Sequence, residues 1–175
     1  TRDDAAGEAF DKGARIFGLG YPGGPAIERK ANGGDAKKYN FPRILLSKDS
    51  LDFSFSGLKT SLLYFMDDFT ETKSISLSDI IASYQQAIVD TLVEKTRRAM
   101  DQTGAKRCII AGGVAANQCL RDRLNIILPD KDILFPDFSL CTDNAAMISY
   151  LGQLKFQSSF FKKLDFSVIP NLKLV

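Results

Sequence analysis

The sequence predicts a layered α/β domain, and three observations carry that expectation. The 175 residues, 45% hydrophobic and 25% charged, are enough for a substantial core and too apolar for a disordered chain. Apolar runs at 107–111 and 132–135 have the length of strands and flank a segment of helical period at 115–127. The longest periodic segment, 79–102, holds Ile81, Tyr84, Ile88 and Leu92 on one face, as a core helix does.

Residues 3–17 read as a helix, with Asp3 and Asp4 suited to its positive end and Ala5, Ala6, Ala9, Phe10, Ala14 and Phe17 as its apolar stripe. Gly18 and Gly20 end it, and YPGGP follows as a turn. Pro25 suits the start of a second helix, 26–31, which Asn32-Gly33-Gly34 stops. LDFSFS, 51–56, alternates with period two and predicts a half-buried strand. Gly57 breaks it before Leu58, Leu62, Phe65 and Met66 resume helical spacing, and residues 67–71 read as a polar loop. Ser78 is the expected N-cap of the long helix and Gly104 its stop. Residues 107–111 predict a buried strand, and the last helix is expected over 143–156 with Asp143 as its cap.

Composition excludes several chemistries. With no histidine, the chain supplies neither a histidine general base nor a self-contained histidine metal site. A net charge of +2 gives no bulk signal for nucleic acid, so such contacts would rest on local patches such as Lys37, Lys38, Arg43 and Lys59. Cys108, Cys119 and Cys141 lack paired spacing and fit buried thiols in a reducing, cytoplasmic setting. No apolar run reaches the roughly 18–20 residues of a membrane span. The chain opens on Thr1 inside a predicted helix and is expected to be a piece of a longer protein.

Four corners carry candidate chemistry. Gly112-Gly113 between a strand and a helix lets the backbone approach a ligand, with Asn117 beside it to donate and accept; the same pair also serves as a plain packing turn. Asp4, Glu8 and Asp11 share a helix face, where they either hold Mg²⁺ or accept from ribose hydroxyls, or else pair with Lys12 and Arg15 on a solvated face. YPGGP exposes amides at a helix start, and Asp143 in CTDN either caps a helix or joins a metal site.

DDAAGEAFDK, GLGYPGGP, LDFSFSGLKT, AGGVAAN and CTDNAAMI occur in one order. That order resembles the tRNA N6-adenosine threonylcarbamoyltransferase family, bacterial TsaD, formerly labelled O-sialoglycoprotein endopeptidase, from Asp3 to about Phe156. The resemblance implies an actin-like ATPase fold of two ribonuclease-H-like lobes, with residues 1–157 forming the second, nucleotide-binding lobe and 158–175 a tail returning toward the first. It implies transfer of threonylcarbamoyl from threonylcarbamoyl-adenylate to N6 of adenosine 37 in tRNAs that read A-starting codons. Asp11, Gly24, Glu28, Gly112, Gly113 and Asn117 then bind the substrate, and Asp143 ligates one divalent metal, iron or zinc.

Implied partners are tRNA, a smaller paralogue of the same fold and a P-loop ATPase, with no membrane and with homo-association through an exposed inter-lobe face. The family's HxxxH helix and Ser-Gly-Gly-His phosphate cradle do not occur in this chain, so the polypeptide alone is expected to be inactive. Two rivals stay open: a small-molecule kinase of the same superfamily, and a lobe that only binds partners. A metalloprotease finds no support without an HExxH.

Overall fold

The computed structural model describes residues 3–47, 49–69 and 76–158. They fall into two compact units, one ending at Cys141 and one beginning at Thr142. The expected C-terminal tail lies outside the described residues from 159 onward.

The first unit contains α1 (Ala6–Ile16), α2 (Gly23–Ala31), α3 (Ser56–Phe69), α4 (Leu77–Thr103), β1 (Arg107–Ile109), a 3-10 turn (Gly113–Ala116), α5 (Gln118–Ile127) and β2 (Asp132–Leu134). Its spine is α4, whose 27 residues run roughly 40 Å at 1.5 Å each. The N-terminal half of α4 packs Ile81, Tyr84 and Ile88 against Phe10 and Ala14 of α1, Ile27 of α2 and Leu58 and Leu62 of α3. Its C-terminal half packs Val89, Val93 and Met100 against Leu120 and Leu124 of α5. Gly104 ends the helix in the left-handed conformation, as the sequence predicts.

Gly13 shows how tightly α1 meets α4. A Cβ there would overlap the ring of Tyr84, whose hydroxyl donates to the Ala9 carbonyl at 2.9 Å. Burial pushes that phenol well above its ordinary pKa, so it stays a donor at every physiological pH.

β1 and β2 pair in parallel with Cys108 opposite Ile133. Cys108 and Ile133 face α4 and α5, but Ile109 is 69% exposed. The predicted buried strand is therefore covered on one face only. Residues 51–56 form no strand. Phe53 and Phe55 do share a side, as period two requires, with stacked rings 6.1 Å apart. No neighbouring strand pairs with them among the described residues. The Asp3 carboxylate instead accepts from the amides of Phe55 and Ser56 and the hydroxyls of Ser54 and Ser56. Asp3 thus lies outside α1, and the Ser54 hydroxyl foremost holds its carboxyl far below the usual range. Residues 67–69 continue α3 rather than forming a loop, while the rest of that expected loop, 70 and 71, lies outside the described residues.

The second unit is described by α6 (Ala145–Gln157). Its N-cap is Asn144, whose side chain accepts from the Met147 amide at 2.9 Å; Asp143 is not the cap and stays exposed. The helix exposes Ile148, Tyr150 and Phe156. No helix among the described residues is long and apolar enough to cross a membrane.

Candidate functional site

The α1–α2 corner is built around one glycine. The Gly23 amide donates to Asp11 Oδ1 at 2.8 Å, which fixes the start of α2 on the middle of α1. A Cβ on Gly23 would stand 2.5 Å from the Asp11 Cα and 2.7 Å from the Phe10 carbonyl oxygen, so only glycine fits. Gly24, one residue on, faces open space. Of the expected carboxylate cluster, Asp4 and Glu8 both pair with Lys12, at 2.6 and 2.8 Å, while Asp11 turns to α2 rather than to Arg15.

The strand-to-helix corner is equally determined. Gly112 adopts φ 94°, ψ 172°, a region closed to residues with a Cβ, and its carbonyl accepts from Ala115 to start the 3-10 turn. Asn117 ends that turn and caps α5: Oδ1 accepts from the Leu120 amide at 2.9 Å, and Nδ2 donates to Gln85 Oε1 of α4 at 3.1 Å. The sequence places Asn117 within a helix beginning at 115, whereas it is the cap between two separate turns.

Glu28 crosses from α2 and accepts from the Gln118 amide at 2.5 Å. Two amides at the start of α5 are therefore already held by a carboxylate and an asparagine. The start of α5 is thus not a bare, positively polarised helix end, and the polar groups presented to the cavity belong to Glu28 and Asn117.

These corners enclose a cavity of about 160 Å³. Asp11, Gly24, Glu28, Gly113 and Asn117 line it together with Phe10, Val114, Ala116 and the largely exposed Tyr21. Five of the six expected substrate residues thus meet at one place, and Gly112 contributes the turn that brings Gly113 there. Residues from 11 to 117 converge because α1 and α2 pack together and α5 packs on α4.

A second, larger groove of about 1200 Å³ lies across α2, α4 and α5 and shares Glu28 as a wall. Its charges pair only in part. Arg43 donates to Asp90 at 2.9 and 3.1 Å, and Arg123 Nε lies 3.5 Å from the same carboxylate. Outside the groove's lining, Lys38 pairs with Asp79 at 2.6 Å, which holds that carboxyl below its usual range. Two of the expected basic contacts, Lys38 and Arg43, therefore hold the fold.

Two residues carry no motif in the sequence yet shape the site. Gln85, inside a long helical run, orients the Asn117 amide. Arg121 donates from Nε to the Ala115 carbonyl at 2.7 Å and from Nη2 to the Pro136 carbonyl at 2.8 Å, with its guanidinium against Phe138 at 4.0 Å. It thereby pins the 3-10 turn to the loop after β2. Helical spacing makes both look like ordinary surface polar residues.

Asp143 belongs to the second unit, and no group of three metal-ligating side chains occurs among the described residues. The residues present do not by themselves form a metal site. Cys141 is buried beside Arg121, and burial foremost pushes the Cys119 thiol up.

The model of the family described as tRNA N6-adenosine threonylcarbamoyltransferase, TsaD, matches residues 1–150. Curated relatives of that name include proteins of Kosmotoga olearia, 49% identical over all of this chain, and of Thermotoga neapolitana and Salinibacter ruber, each 46% identical over 99% of it. The chain spans about half the length of these relatives, 52%, 53% and 54%. On the family match and the identity of its relatives, the chain belongs to the tRNA N6-adenosine threonylcarbamoyltransferase family.

Proposed function

We propose that this chain is the nucleotide-holding part of an acyltransferase that moves threonylcarbamoyl from threonylcarbamoyl-adenylate to N6 of adenosine 37 in tRNA. The observation that carries the reading is the convergence of Asp11, Gly24, Glu28, Gly113 and Asn117 on one small cavity. Asp11 and Glu28 each commit one carboxylate oxygen to a backbone amide, leaving the other to accept from a ribose hydroxyl. Asn117 keeps one N–H and one lone pair beyond its bonds to Gln85 and Leu120. Gly24 lets the nucleotide approach the α2 backbone where a side chain would stand.

In the reaction, the adenine amine attacks the carbamoyl carbon of a mixed anhydride, the carbon–oxygen bond to phosphate breaks, and AMP leaves. The residues of this chain hold the leaving group's nucleoside, so their contribution is alignment of the anhydride and retention of AMP until transfer is complete. The finer parts of the reading belong to the same proposal. The chain is most of the second lobe of an actin-like fold and acts in the cytoplasm beside a smaller paralogue and a P-loop ATPase. Asp143 contributes one ligand to an iron or zinc centre whose other ligands come from residues beyond this chain. Asp11→Ala and Asn117→Ala test the reading: each is expected to weaken adenylate or AMP binding at least tenfold, and unchanged affinity in both would overturn it.

A further inference from the structure

The small cavity has a feature that nucleoside binding through Asp11, Glu28 and Asn117 leaves unexplained. Tyr21 lines its mouth, yet the residue is 85% exposed, and its ring meets no other aromatic ring among the described residues. Keeping an aromatic face in water forgoes the burial that Phe10, Phe41 and Tyr84 achieve in the same unit. The corner that presents it is tied down on its C-terminal side: Pro22 fixes its own φ at the N-cap position of α2, and the Gly23 amide that follows is held by Asp11. A platform this constrained loses little entropy when a flat ligand settles on it.

The size of the cavity points the same way. At about 160 Å³ it is well below the roughly 300–1,000 Å³ of a pocket that engulfs a ligand. Its polar groups are carboxylates and an amide, partners for sugar hydroxyls. A nucleotide held by those groups extends past the rim, where Tyr21 stands. We propose that Tyr21 is a stacking platform for a purine nucleobase at the mouth of this cavity. The inference rests on the nucleotide-site reading above and adds the residue that reads the base. The base comes from one of two sources with the same chemistry: the bound adenylate, or the unpaired acceptor adenosine of the RNA.

Calorimetric titration of this chain with AMP, ribose 5-phosphate and a short single-stranded oligoadenylate tests it, using wild type, Tyr21→Ala and Tyr21→Phe. The exposed ring makes both variants benign to folding. Tyr21→Ala is expected to weaken AMP roughly 5- to 150-fold, the worth of one base–aromatic stack, while Tyr21→Phe stays within about twofold of wild type. Ribose 5-phosphate, which has no base, is expected to bind all three alike. If only the oligoadenylate weakens, and Tyr21→Phe restores it, the stack stands with the RNA base as its occupant. Equal affinities of wild type and Tyr21→Ala for both AMP and oligoadenylate would overturn the inference and leave the nucleotide site intact. A wild-type chain that binds none of the three probes removes the nucleotide site, and the stack with it.

Discussion

The two cavities on either side of α2 differ in a way that volume does not express. The larger, about 1200 Å³, has one close ion pair in its wall, Arg43 with Asp90, while Arg123 Nε lies 3.5 Å from the same carboxylate without a hydrogen bond to it. The smaller, about 160 Å³, is walled by groups that are half committed, Asp11 and Glu28 each by one oxygen to an amide and Asn117 by half of its amide. A ligand reaching Asp90 in the groove would have to displace the Arg43 ion pair. A ligand entering the small cavity only completes hydrogen-bonding capacity left over from building it. On the proposed reading, what sets the small cavity apart is neither size nor charge but hydrogen-bonding capacity left over on groups held by backbone.

Substitution can break this contrast, and the largest effect is expected at Gly23. Gly23→Ala drives a methyl into the backbone of Phe10 and Asp11, and denaturant unfolding is expected to show a loss of about 3 kcal/mol, the upper end for overpacking. Gly24→Ala beside it meets no atom and should leave stability unchanged while weakening AMP binding, separating the structural glycine from the binding one. Asn117→Ala comes next: losing the α5 cap and leaving Gln85 without its partner is expected to cost about 2 kcal/mol. Asn117→Asp, which keeps the capping oxygen, should recover part of that. In the groove, Arg43→Ala is expected to cost below about 1 kcal/mol, as partly exposed ion pairs do, with AMP affinity unaltered.

Acid sharpens the picture least, because it acts away from both cavities. Hydrogen bonds from Arg97 and then Arg98 hold Glu94 at about 2, below its ordinary 4.5. A carboxylate with a depressed folded-state pKa stabilises the fold in its ionised form. That contribution is complete above about pH 4.5 and fades as the pH falls toward 2, with Asp3 and Asp79 contributing in the same direction. Thermal melts of Glu94→Gln and wild type should differ at neutral pH and converge near pH 2.

Much of this was legible in the sequence, for identifiable reasons. Helix ends set by glycine were readable at Gly18, Gly33 and Gly104, because a positive φ leaves few other residues to choose from. The cavity residues were readable as motifs, although which glycine of YPGGP packs and which one faces open space emerges only when α2 lies on α1. LDFSFS misled because alternation reports a chain with two different sides, not a chain with a hydrogen-bonded neighbour. Asp3, remote in sequence, takes the place of a partner strand. Gln85 and Arg121 were not legible, since a polar residue on a helix acquires its meaning from what packs opposite.

The central claim is that the small cavity, not the groove, receives the nucleotide, and amide NMR during an AMP titration tests it most directly. Shifts concentrated at Gly24, Gly113 and Asn117, with Asn32, Gln86 and Arg123 unmoved, are the expected result. Shifts concentrated at Asn32, Gln86 and Arg123, with the three cavity residues silent, would contradict it.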